Sequence, residues 1–238
     1  MIQSVFKRYK NIAPFGCMCS LALHLRKIGL RSSSCFFDWL TSDLAHNMEI
    51  VDNDFNDFFN KKYFKQEYPD YAHLITNTKY NFVYSHVFNP KQTLDKQYES
   101  VKKRVQRGID NFKKALSDDC LLIYYSRSKK ETDWIRDNQD KIKAFCLKHR
   151  CDITFVLNFD IDGPFIFPKY IIPQNNIHKP IGGGVSYLFE KTEKLDEYLL
   201  SVFDPEERQK NLRHVSKESL FIRIKRKLYS FRKDRLVV

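Results

Sequence analysis

Apolar residues recur along this chain at two spacings, and the switches between them predict the architecture. Residues 17–28 carry Leu21, Leu25 and Ile28 at helical steps, with Pro14 and Gly16 marking a turn before them and Gly29 placed as a C-terminal stop. Residues 44–59 are predicted to form a helix with Phe55, Phe58 and Phe59 on one side. Residues 80–88 alternate and are aromatic, which predicts a strand with Phe82, Tyr84, His86 and Phe88 on one face, ended by Pro90. A long helix over 94–116 then places Val101, Val105, Ile109, Phe112 and Leu116 at steps of three and four. A strand over 120–126, a helix over 134–149, a strand over 152–158 and a short helix over 195–203 complete the pattern. Strand, helix, strand, helix, strand predicts an α/β fold with at least part of a parallel sheet, α+β being the other class that fits.

Composition narrows this. The hydrophobic share is 42% and the aromatic share 15%, enough for a packed core and against disorder. No apolar run approaches the length that spans a bilayer. Residues 1–10 are charged and lack the apolar stretch of a secretory signal, so six irregularly spaced cysteines predict a reducing compartment rather than a disulfide framework. The expected location is cytoplasmic, peripheral at the inner membrane face if the tail binds lipid. The formal charge is +12, and residues 208–238 supply nine of it, with eleven Lys and Arg against Glu218 and Asp234. The division is therefore an α/β domain over 1–206 and a basic amphipathic tail over 207–238. Leu220, Ile224, Leu228 and Phe231 form an apolar stripe among Arg and Lys, which predicts an anionic membrane surface as partner through 220–233, a helix docked on its own domain being the alternative. No nucleic-acid fold signature is present, so no nucleic-acid partner is expected.

The chemistry points to a thiol. Cys19 falls in the first turn of its predicted helix, where free N–H groups and the helix dipole favour an anion. A thiol nucleophile also needs a base, and of seven histidines His86 is the best placed, far enough along the chain to fold back onto that helix.

Phe15-Gly16-x-x-Cys19-Ser20-Leu21-Ala22, then Leu25-Arg26-Lys27-Ile28-Gly29-Leu30-Arg31, then Phe37-Asp38-Trp39-Leu40, resemble a bacterial family described as papain-like cysteine peptidases. In that family a histidine follows on a later strand, here His86 in Tyr84-Ser85-His86, and a basic helix leads into an apolar strand, here Lys102-Lys103-Arg104-Val105 and Leu121-Leu122-Ile123-Tyr124. Two departures stand out. Cys35-Phe36 replaces a small residue and Pro, and Val87 follows the histidine where the family often has an acid. The resemblance implies a papain-like thiol site on a Cys-led helix packed against a mixed sheet. It also implies hydrolysis or acyl transfer on an acyl, peptide or glycan-linked substrate, in surface-polysaccharide biosynthesis. Cys19 would attack a carbonyl, His86 would move the proton, and N–H groups near 17–19 would hold the oxyanion. Asp38 is the candidate orienting carboxylate, with Asn158 as the alternative. Arg127 and Trp39 are the candidate substrate contacts, though Trp39 and Phe37 also suit a core and Asp38 also suits a helix cap.

Other groups carry weaker signals. Asp160-x-Asp162 at a strand end has the form of a metal-dependent sugar-nucleotide site, which makes a glycosyltransferase-like enzyme the alternative function, yet Asp162-Gly163-Pro164 reads equally as a turn. A third possibility is a non-catalytic protein at a membrane surface. Gly182-Gly183-Gly184 lacks phosphate-loop spacing, and Cys146, His149 and Cys151 fall outside zinc spacings. No metal and no cofactor is expected. Lys102, Lys103, Arg104 and Arg107 read as a solvated helix face or as a site for a phosphate or a carboxylated sugar.

Overall fold

The structure is a computed structural model that describes residues 8–16, 19–66, 74–84, 86–172 and 193–217. In chain order it runs β1 (Asn11–Pro14), α1 (Cys19–Lys27), a 3-10 turn (Phe36–Trp39), β2 (Leu40–Thr41), α2 (Leu44–Asp52), a second 3-10 turn (Lys61–Tyr63), β3 (Phe64–Lys65), β4 (Ile75–Asn77) and β5 (Phe82–Tyr84). It continues with α3 (Leu94–Leu116), β6 (Cys120–Ser126), α4 (Lys129–Asp137), α5 (Gln139–His149), β7 (Cys151–Leu157), β8 (Lys169–Ile171) and α6 (Glu193–Val202). A last helix, α7, occupies 205–217. The architecture is mixed α/β, as the alternation predicts.

The strands sort into a parallel sheet in the order β1-β6-β7-β8 and an antiparallel sheet in the order β2-β5-β4-β3. The parallel sheet is buried on both faces, which is why β6 is apolar almost throughout. Its alternate residues divide between two cores. Leu122 and Tyr124 join Phe15, Phe112, Ile142, Phe145 and Phe155 on one face, while Leu121, Ile123 and Tyr125 join Leu21, Leu25, Leu195 and Leu199 on the other. Helix α1 and helix α6 therefore cover one face, and α3 and α5 the other.

The antiparallel sheet is attached to the first core by aromatic rings. Phe37 meets Phe15 at 4.9 Å and Phe112 at 5.0 Å, and Phe36 meets Phe58 at 4.8 Å and Phe55 at 5.1 Å, all edge to face. Gly108 lets α3 approach the 36–39 turn closely, since a Cβ there would lie 3.3 Å from the Phe36 backbone. Before that turn, the chain is clipped by Arg31, whose guanidinium donates to both oxygens of Asp38 and to the Ser33 carbonyl. Arg31 is 8% exposed and Asp38 0%.

Two predicted elements end sooner than their periodicity implies, and a third is broken in two. The helix from residue 44 stops at Asp52 because Asp52-Asn53-Asp54-Phe55-Asn56-Asp57 follows, and Asp54, Phe55 and Asp57 are left-handed. Short Asp and Asn side chains compete with the helical backbone for its hydrogen bonds. The strand begun near residue 80 ends at Tyr84, the limit of its pairing with β2 and β4. His86 thus leaves the shared face and is exposed, whereas Val87 and Phe88 are buried. The helix over 134–149 is two helices, broken at Asn138, which ends α4 and starts α5.

Helix α7 crosses residues 206 and 207, where the tail was expected to begin. It docks on the end of α1: Arg208 Nε donates to the Ile28 carbonyl at 3.1 Å, and Leu212 packs against Gly29. The expected lipid-binding stripe over 220–233 lies outside the described residues, as do Cys17 and Gly182-Gly183-Gly184. Among the described residues no helix is long and apolar enough to cross a membrane.

Candidate functional site

Cys19 is the first residue of α1, which follows β1 at the C-terminal edge of the parallel sheet. It is half-buried, whereas Cys35, Cys120, Cys146 and Cys151 are buried. Burial pushes its thiol up from the ordinary value, and hydrogen bonds from the backbone N–H groups of Cys19 and Ser20 pull against that without cancelling it. The tip of α1 therefore offers the sulfur the donors that the sequence predicts, but the resting group is a thiol. A nucleophile in that state needs a base to remove its proton. The chain reaches this tip through Gly16, at φ +118, where any side chain would collide with Asn47 and Ser42. Asn47, fully buried, donates to the Phe15 carbonyl and so fixes the end of β1.

His86 is exposed and meets the Trp39 ring edge to face, with centroids 6.1 Å apart. Among the described residues its imidazole has no hydrogen-bond partner. Trp39 is half-buried against the aromatic core. His86 and Trp39 line one cavity of about 540 Å³, together with Phe36, Tyr84, Arg104 and Arg107. The structure thus brings the predicted base and one predicted substrate contact together.

Asp38 stands next to Trp39, but its carboxylate turns inward. Arg31 engages both oxygens and the Cys35 N–H donates to Oδ2 at 2.9 Å, and none of these bonds runs to His86. Burial works against the charge on Arg31, and the Asp38 charge and hydrogen bonds outweigh it, so Arg31 stays firmly protonated. Arg127 and Asn158 meet at the ends of β6 and β7. The Asn158 amide donates to the Arg127 carbonyl at 3.4 Å and accepts from the Tyr125 hydroxyl at 2.8 Å, while the Arg127 side chain is exposed. Asp160 is bound by Lys169 Nζ at 2.7 Å and by the Ile161 N–H. Among the described residues no cluster of His, Cys, Asp and Glu is arranged to hold a metal.

Among the described residues three imidazoles meet a carboxylate, His24 with Asp196, His149 with Asp52 and His46 with Asp43, and sequence reasoning missed all three pairings. Asp43 caps α2 by accepting from the His46 N–H at 3.0 Å, and its other oxygen meets His46 Nδ1 at 2.6 Å. The pair stands one residue from Ser42 and from Asn47, the two side chains packed on Gly16. Ser42 Oγ and Asn47 Oδ1 are buried with no partner among the described residues. The available signal was the Asp-x-x-His spacing at a helix start, which reads as a simple cap.

Comparison with known proteins adds one match. The sequence model of a family described as "Putative papain-like cysteine peptidase (DUF1796)" matches residues 10–161, which includes Cys19, Asp38, Trp39, His86, Arg127 and Asn158. No curated protein and no solved structure matches the chain.

Proposed function

The chain belongs to the family of putative papain-like cysteine peptidases, and from that premise we propose that it is a thiol hydrolase or acyltransferase with Cys19 as nucleophile and His86 as base. The observation that carries this reading is Cys19 itself: it opens a helix, meets two backbone N–H groups, and is more accessible than the buried thiols of Cys35, Cys120, Cys146 and Cys151. In the reaction, the Cys19 sulfur bonds to the substrate carbonyl carbon as its proton passes to the imidazole. The oxyanion forms against the N–H groups of the first turn of α1. The imidazolium returns the proton to the leaving group, and a thioester remains on Cys19. Water resolves the thioester in hydrolysis, and a hydroxyl of a glycan-linked acceptor resolves it in transfer, the arm that suits surface-polysaccharide assembly. Asp38 acts by holding the 31–39 segment, and with it Trp39 against His86. A second reading makes His46 the base, and the hydrogen bond that its Nδ1–H donates to Asp43 Oδ2 favours it, since a carboxylate there fixes the tautomer.

Iodoacetamide at neutral pH tests both. Peptide mapping of the native protein should show Cys19 carboxamidomethylated well before Cys35, Cys120, Cys146 and Cys151. Because burial raises its thiol, the rate should climb with pH toward the alkaline side. His86→Ala should slow Cys19 alkylation about tenfold or more while His46→Ala leaves it unchanged; the reverse pattern selects the second reading. If these five cysteines react together, and only after denaturation, neither reading stands.

A further inference from the structure

The cavity that His86 borders has a chemistry of its own. Its inner wall is apolar, built from Phe36, Trp39 and Tyr84, and the turn of α3 across from it presents Arg104 and Arg107. Three residues apart on a helix, the two guanidinium groups share one face. Among the described residues neither has a carboxylate or a hydrogen-bond partner. Other surface cations of this chain do find one: Lys61 pairs with Asp95, Lys113 with Asp54 and Arg136 with Asp133 and Asp137. Arg104 is pushed down from the ordinary guanidinium value, first by burial and then by the charge of Arg107. Tyr84 backs this wall from the core side, closed to solvent. Tyr84 is 2% exposed, and its hydroxyl is buried with no partner among the described residues. A buried orphan hydroxyl is uncommon, because it forfeits the hydrogen bonds it had in water. Asn111 closes one end of the cavity by donating to the Ser34 carbonyl at 2.8 Å.

We propose that this cavity is a binding site for an oxyanion, carboxylate or phosphate, carried on an apolar or aromatic body, with Arg104 and Arg107 holding the anion. Guanidinium groups bind such oxyanions through paired, charge-assisted hydrogen bonds, and the ring wall takes the body of the ligand. As a binding site it stands on its own geometry; as the substrate subsite of the enzyme it rests on the thiol reading above, with His86 in its lining.

Trp39 provides the readout. The chain has two tryptophans, so Trp134→Phe leaves Trp39 as the sole indole. Titration of that full-length variant with phenyl phosphate and with benzoate should change Trp39 emission saturably. Inorganic phosphate should bind more weakly, and benzyl alcohol, which lacks the charge, more weakly still. The tighter of phenyl phosphate and benzoate identifies the anion. Arg104→Ala and Arg107→Ala should each weaken binding about tenfold, as expected for loss of a charge-assisted hydrogen bond. Arg107→Lys, which keeps the charge and loses the fork, should fall between. Lys102→Ala and Lys103→Ala, on α3 but outside the cavity, should change affinity less than about twofold. Equal losses from the lysine and arginine variants, or benzyl alcohol binding as well as phenyl phosphate, would overturn the proposal. Cys19→Ser should bind phenyl phosphate unchanged, so a failure of the nucleophile and a failure of this site give different results.

Discussion

In the parallel sheet, β6 and β7 pair over seven residues each, and their alternate side chains fill two cores. In the antiparallel sheet no strand exceeds three residues, and β2 pairs with β5 through Leu40 and Tyr84 and through Thr41 and Val83 alone. The backbone ladder supplies much of the cohesion of the first and little of the second. What replaces it is side-chain chemistry: the Phe36 and Phe37 rings, the buried Arg31–Asp38 pair, and the amide of Asn77. Left-handed residues follow the same division. Asp54, Phe55, Asp57 and Asn81 fall in the antiparallel half, against Asp119 and Arg150 in the parallel half. The open His86 cavity borders this half, with Phe36, Trp39 and Tyr84 in its wall.

The largest effect should come from the clip between the two halves. Asp38→Ala leaves the buried Arg31 guanidinium without its counter-charge, which costs about 3–5 kcal/mol. Urea unfolding should show it as a lower midpoint. Because the pair fixes the 31–39 segment, the same variant should also loosen Trp39 and blunt its response to phenyl phosphate. A double Arg31→Met, Asp38→Leu variant should recover most of the stability, since an apolar pair avoids the cost of desolvating two charges. If Asp38→Ala costs less than about 1 kcal/mol, side-chain contacts do not hold the antiparallel half and the comparison fails.

Next in size is Asn77→Ala, within the antiparallel sheet itself. This fully buried amide donates to the Phe58 carbonyl at 3.0 Å and accepts from the N–H groups of Lys79 and Tyr80, so it ties the β4–β5 turn to the aromatic cluster. Losing it strands buried backbone groups, at about 1–3 kcal/mol. Hydrogen exchange should quicken first in β4 and β5 while β6 and β7 remain protected. Uniform loss of protection across both sheets would mean that the two halves unfold as one unit.

The same division explains what could be read from the chain. Helix α3 and strand β6 were legible to the residue, because long, regular apolar spacing over 94–116 and 120–126 leaves one way to bury each face. Strands β2, β3 and β4 were not, because two or three residues carry no period, and their places depend on rings brought from elsewhere in the chain. Among candidate site residues, the position of Cys19 at a helix start was legible. The inward turn of Asp38 was not, since its partner Arg31 had only the signal of a basic residue in a loop. The cavity depends on Gly108 letting α3 approach the Phe36 backbone, a packing relation that no local spacing encodes.

The smallest effect, that of Arg150→Gly, is read against a larger one at Phe55, and the two together show how each half tolerates left-handed backbone. Arg150 ends α5 at φ 53, its N–H bonding back to the carbonyls of Cys146 and Leu147, in a position where glycine lacks the steric penalty of a side chain. Its side chain is exposed, so Arg150→Gly removes strain and little packing, and should stabilise by about 0.5–1 kcal/mol. Phe55 has nearly the same conformation, at φ 60, yet its ring is buried against Phe36 and Phe112. Phe55→Gly relieves the same backbone and empties part of the aromatic core, a loss of about 2–4 kcal/mol. One substitution type should therefore change sign between the two halves, measured by thermal midpoint in the same buffer. Stabilisation by both would mean that ring packing around Phe55 is too weak to hold the antiparallel half against its own backbone strain.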